Sequence, residues 1–322
     1  MQSLDLNPLP LEKWDRRGTV LLHGIGDRVK SAITLLRDEY RHKPVLEECQ
    51  RFLFDDLNDA PRSDFDSLRR VWMFPWWEIQ REMSEALNHT LLGTYRAVVD
   101  NFRRALELAL IGLYFIQQHV PETDGREWLR SNLKTPFFSK ALNELLVNPR
   151  FKQIDSMCGL VGEVSKFYWH LCDLIHVRGE KASFQQQQTS HHFYNDLAFP
   201  EFSASLVEAA ADLFIETTRH IATLVAVENP VLLTGLDLTP KFGLNPPLSG
   251  FFEESQADRI RGLLLEPARS SILAMTDRDE EIEAVKLWIA NLPDLTSEQI
   301  TAQIQNHNEF LASMLDNSEK TR

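Results

Sequence analysis

Apolar residues recur in steps of three and four along most of the chain, the period of an α-helix with one buried face. The clearest run covers 94–119, where Tyr95, Val98, Val99, Phe102, Leu106, Ala109, Leu110, Leu113 and Ile116 form a single stripe. Pro121 and Gly125 end it. The same period marks helices over 29–40, 44–57, 137–147, 154–176 and 203–227. Two or three more follow between 253 and 315, separated near Pro293. Pro75, set among Trp72, Trp76 and Trp77, predicts the start of a helix that runs to about Leu92. Gly179 is a natural stop for the 154–176 helix. No stretch sustains strand-like alternation, so the expected fold class is all-α.

Many helices joined by short breaks imply an up-and-down helical bundle. Four parts are expected: a helical segment over 1–60 packed on the bundle, the main bundle over 61–230, a connector over 231–250 and a C-terminal helical appendage over 251–322. The connector reading rests on Gly235, Pro240, Gly243, Pro246, Pro247 and Gly250, with no periodicity between them. Gln185 to Gln188, followed by Thr189-Ser190-His191-His192, reads as an exposed loop, and 317–322 as a disordered tail.

Composition narrows the class without naming a chemistry. A chain of 322 residues can bury about three quarters of its unfolded surface. Its aliphatic and aromatic content excludes a wholly disordered, collagen-like or disulfide-framework protein. Lysine plus arginine is 34 and aspartate plus glutamate 47, a net charge of −13, so polyanions are not drawn in at long range. Cys49, Cys158 and Cys172 have no metal-type spacing, and an odd count suits a reducing, cytoplasmic setting. Residues 1–11 carry acids and prolines and no apolar core, unlike a secretory signal. The apolar run 106–116 is interrupted by Glu107 and is about half a bilayer span. No membrane span and no membrane partner are expected.

Candidate chemistry sits beside the apolar stripes. On the 94–119 helix, Arg96, Asp100, Arg103, Glu107 and Tyr114 fall on one shoulder of the buried face. Arg96–Asp100 and Arg103–Glu107 are both spaced for ion pairing one turn apart. The ridge reads either as interhelical ion pairing or as a groove that contacts an anion or a base. On the 154–176 helix, Cys172 and His176 are also one turn apart, but no third ligand accompanies them, so no metal is expected. His176 then reads either as a capping or packing histidine or as a proton carrier. Three tryptophans within 72–77 read as a core plug or as a stacking surface. His23-Gly24-Ile25-Gly26-Asp27 lacks the partners of a hydrolase or phosphate-binding motif and reads as a turn before a helix.

Two features occur in order: Arg103-x-x-x-Glu107 with an apolar run and Tyr114, then Tyr168-x-x-Leu171-Cys172-x-x-Ile175-His176 about sixty residues later. Over about residues 90–180 this succession resembles the helical-bundle proteins of the HEPN superfamily. The resemblance implies an up-and-down bundle that often dimerises. In many members it implies a metal-independent ribonuclease of toxin or antiphage systems, built on an Arg-x4–6-His motif. Carried over, His176 would shuttle the proton of a 2′-hydroxyl while Arg103, with Glu107, would stabilise phosphorane charge. Arg96, Asp100, Tyr114 and Arg178 would contact the ligand. In this chain Arg178 follows His176, and His170 and Trp169 stand upstream of it. The expected function is a binding or regulatory protein of a bacterial defence or stress system. The alternatives are a ribonuclease using His176 and a purely structural oligomerisation module. No cofactor is expected, and a second copy of the chain, an RNA or another protein remain open as partners.

Overall fold

The computed structural model describes residues 26–57, 68–175, 202–244 and 253–319. Among these, regular structure is helical and no strand occurs, as the periodicity requires. Helix α1 (26–34) runs into a π-helical turn, Leu35–Glu39, and α2 (Lys43–Arg51) into another, Phe52–Asp56. Then come α3 (Leu68–Leu92), α4 (Tyr95–Phe115), α5 (Glu122–Leu129), α6 (Phe138–Glu144), α7 (Pro149–Cys158) and α8 (Leu160–Ile175). After 202 follow α9 (Ala204–Glu228), the short α10 (Thr239–Phe242), α11 (Glu254–Leu263), α12 (Glu266–Thr276), α13 (Glu280–Ala290) and α14 (Ser297–Glu319).

Three local features differ from the sequence expectation. Pro75 lies inside α3 and does not start it. A proline ring fits the helical φ but presses on the preceding turn and donates no hydrogen bond, so it needs accommodation. Gly112 of α4 supplies the room: a Cβ there would stand 3.2 Å from the Pro75 Cβ. The expected single helix over 154–176 is two helices, because Gly159 adopts left-handed backbone at φ 67° and ends α7. Its N–H donates to the carbonyl of Asp155 at 2.7 Å, and the Asp155 carboxylate accepts the N–H of Val161 at 2.8 Å, opening α8. Beyond Pro121 the chain re-enters a helix, α5, with Glu122 and Asp124 in its first turn, where acids favour a helix N-terminus.

The chain divides into two compact units, each made of three stretches. The first takes in Met1–Glu48, Trp77–Leu108 and Gly162–Thr218, the second Cys49–Trp76, Ala109–Val161 and Arg219–Arg322. The divisions fall within α2, α3, α4, α8 and α9, so each of these helices contributes to both units.

In the first unit, Val98, Val99, Phe102 and Leu106 of α4 are wholly buried, each large side chain contributing about 1.5–3 kcal/mol. Phe102 meets Phe214 of α9 edge to face, with ring centroids 6.1 Å apart. Tyr40, after the first π turn, is buried, and its hydroxyl donates to Asp212 Oδ1 at 2.7 Å.

In the second unit, Phe115 stacks on Trp128 at 5.2 Å beside Ile111 and Val120. Trp76 is buried, while Trp77, in the first unit, is 55% exposed, so the aromatic stretch is shared between core and surface. Residues 230–244 of the Pro/Gly-rich stretch are structured. Pro230, Leu232 and Leu233 are buried in a 3-10 turn that packs on α11 and α12, and Arg261 Nε donates to the Leu233 carbonyl at 2.9 Å.

Two carboxylates, one buried and one partly buried, organise this unit. Asp56, 1% exposed, accepts Arg259 NH1 on both oxygens at 2.7 and 2.6 Å, and Gln256 Nε2 at 3.2 Å. Glu228, at the end of α9, accepts Gln117 Nε2 at 2.9 Å and Asn148 Nδ2 at 3.3 Å. Burial pushes the Glu228 carboxyl above its ordinary range, against the pull of Gln117, Arg150 and Asn148.

Removing one partner of a buried pair strands the other's charge. Asp56→Ala is therefore expected to cost about 3–5 kcal/mol, read as a shift of the urea unfolding midpoint. For Glu228 the raised folded pKa means that the proton-linked stability is present in full below the unfolded pKa and is lost as pH rises through the folded value. Glu228→Gln should then melt above the wild type at neutral pH, with the gap closing towards the ordinary carboxylate range. Thermal unfolding of both proteins across that window checks the sign.

Candidate functional site

The ridge on α4 folds into a network within the first unit. Arg103 and Glu107, one turn apart, are each 27% exposed and are joined from NH1 to Oε1 at 2.9 Å. Arg103 NH2 also reaches Asp100 Oδ1 at 3.1 Å. Helix α8 supplies the third member: the Tyr168 hydroxyl donates to the same Glu107 oxygen at 2.6 Å. One carboxylate oxygen thus takes a charged donor from its own helix and a phenol from its neighbour. Cys172, one turn beyond Tyr168, is buried beside it.

The next residue along α4 extends the network to α3. Arg104 NH2 stands 3.0 Å from the nearly buried carboxylate of Glu82 and 2.8 Å from Asn101 Oδ1, while its Nε stands 3.7 Å from Asp100. Asn101 Nδ2 in turn donates to the Glu82 carbonyl at 3.2 Å. Glu82, Asp100 and Glu107 oppose Arg103 and Arg104, so these five charged groups sum to about −1.

Their environment keeps protons in place. Burial, the hydrogen bond to Glu107 and its charge all push the Tyr168 phenol far above its ordinary range. Burial alone would lower the Arg103 guanidinium, but Glu107 and Asp100 more than offset it and raise it. Burial raises the Cys172 thiol and the Glu82 carboxyl as well, the latter against Arg104. A thiol held protonated is a poor nucleophile. Tyr168 and Arg103 therefore act as fixed donors at neutral pH.

The structure brings Asp100, Arg103 and Glu107 together and adds Tyr168, the first residue of the second motif. It does not form the expected Arg96–Asp100 pair: Asp100 turns to Arg103 and Arg104, and Arg96 is exposed. Tyr114, in the second unit, lies 5.0 Å from Phe115 with Lys140 Nζ 5.9 Å over its ring. His176, Arg178 and the His191-His192 pair lie outside the described residues. Sequence reasoning missed Arg104 and Glu82. The signal available was Glu82 itself, an acid set between Ile79, Met83 and Ala86 of an apolar stripe.

Elsewhere in the first unit, Asp27, Lys30, Thr34, Glu39, Phe202 and Ala204 line an open groove of about 480 Å³. Among the described residues, no group of three or more His, Cys, Asp or Glu side chains is arranged to hold a metal ion. Comparisons with protein-family models, curated proteins and solved structures gave no match.

Tyr168→Phe removes one hydrogen bond to a charged group and should cost about 1.5 kcal/mol. Arg103→Ala should cost more, since it leaves Glu107 and Asp100 short of their shared cation. A double-mutant cycle of Tyr168→Phe with Glu107→Gln, followed by denaturant unfolding, tests the coupling. Additive effects would remove the link between α4 and α8.

Proposed function

We propose that this chain is a HEPN-like helical-bundle protein with a binding or regulatory role, in which the Arg103–Glu107–Tyr168 network braces helices and carries no catalysis. The observation behind this reading is mutual engagement. Glu107 accepts from Arg103 and Tyr168, and Arg103 spans Glu107 and Asp100. A guanidinium already divided between two carboxylates offers a phosphate little unopposed charge, and the negative balance of the network repels polyanions. The HEPN-like element of the proposal rests on the residue pattern together with the meeting of its two motif helices, at Glu107 and Tyr168.

One observation favours the ribonuclease reading. The helix whose sequence leads into His176 is the one that contacts the Arg103 partner Glu107. In that mechanism His176 would move the 2′-hydroxyl proton and Arg103 would meet the phosphorane.

The two readings separate in an RNA-cleavage assay in EDTA, comparing wild type with His176→Ala at matched helicity by circular dichroism. The binding reading expects no cleavage by either protein. Cleavage by the wild type that His176→Ala abolishes would replace it with the ribonuclease.

A further inference from the structure

Phe137 is the most exposed large apolar side chain among the described residues, at 83%, and Leu133 before it is 40% exposed. Both belong to the second unit, where they lie in the loop between α5 and α6. Leaving a phenylalanine in water forgoes one of the largest burial gains a side chain can make. The loop that presents it is pinned. The N–H groups of Asn132 and Leu133 donate to the Glu127 carbonyl at 2.8 and 3.3 Å. The Asn132 amide donates to the Glu127 carboxylate at 2.7 Å, and the Trp128 indole donates to Thr135 Oγ1 at 3.0 Å. Ser131 takes left-handed backbone, φ 62°, to turn the chain, a conformation uncommon outside glycine. The apolar tip is held out by a fixed scaffold.

Its charge is the opposite of the chain's. From 128 to 143 the sequence holds Arg130, Lys134 and Lys140 and no carboxylate, within a protein of net charge −13. Of the nearest acids in sequence, Glu127 pairs with Arg130 at 2.8 Å, which leaves Lys134 and Lys140 as the loop's unopposed charge, and Glu144 lies 3.0 Å from His119. At physiological ionic strength, charges beyond about 8 Å are largely screened, so a surface approaching the loop meets its cations first.

We infer that this loop docks on a bilayer surface bearing anionic headgroups. Phe137 and Leu133 enter the boundary between headgroups and acyl chains, and Lys134 and Lys140 meet the headgroup charges. No described helix is long and apolar enough to cross a membrane. Surface docking needs no such helix: a few cations with inserted apolar side chains give weak, reversible, salt-sensitive binding. The expectation of no membrane partner rested on the length of apolar runs, a measure to which a surface loop is invisible.

Vesicle sedimentation with the full chain tests this, using phosphatidylcholine alone and phosphatidylcholine mixed with phosphatidylserine, at physiological and high salt. The chain should pellet with the mixed vesicles at physiological salt, stay in solution with phosphatidylcholine alone, and be released by high salt. Phe137→Ser should weaken binding about tenfold, and Lys134→Gln about fivefold. Both positions are exposed, and circular dichroism confirms the fold of each variant. Absence from the mixed-vesicle pellet, equal binding to both vesicle types, or binding indifferent to Phe137→Ser each overturns the inference. Self-association abolished by Phe137→Ser without vesicle binding also overturns it, and makes the loop a contact between copies.

Discussion

A charge withdrawn from water has to find its opposite nearby, and both units of this protein are arranged around that requirement. In the first, α4 must bury an unbroken apolar stripe while carrying Arg103, Arg104 and Glu107 on its shoulders. Half-burial makes each of these charges costly alone. The chain meets the cost by tying α4 to α3 through Arg104 and Glu82, and to α8 through Glu107 and Tyr168. Apolar packing brings the helices together but tolerates sliding and rotation. The polar ties are directional, so they fix which turn faces which.

The same ties limit what the cluster can do chemically. A general acid or base needs a pKa near the working pH and a proton free to move. Tyr168 and Cys172 are driven the wrong way by burial, and Arg103 is fixed in its charged form. The mutual hydrogen bonds of Arg103, Glu107 and Tyr168 suit a brace between helices.

The second unit solves the same problem with neutral help. Glu228 is held by two side-chain amides, with Arg150 contributing at longer range, and burial leaves its carboxyl raised. Asp56 has a cation on both oxygens and still sits above its ordinary range, because desolvation at 1% exposure outweighs Arg259. Amide donors engage one carboxylate and a guanidinium the other, but neither restores the solvation that bulk water would give.

The helices and the faces they bury follow from local residue order. Steps of three and four among Val98, Val99, Phe102 and Leu106 are a local property, set by 3.6 residues per turn, and they survive in the structure nearly residue for residue. The pair Arg103–Glu107 was legible for the same reason, being one turn apart on one helix. The tertiary structure alone decided partners distant in sequence: Tyr168 for Glu107, Glu82 for Arg104, Arg259 for Asp56, and Gly112 for the ring of Pro75. It also decided that Asp100 abandons Arg96, since two nearer guanidinium groups compete for it. The helical period says which side of a helix is apolar. Which other helix fills that side depends on packing between residues tens to hundreds of positions apart, and no local pattern encodes it.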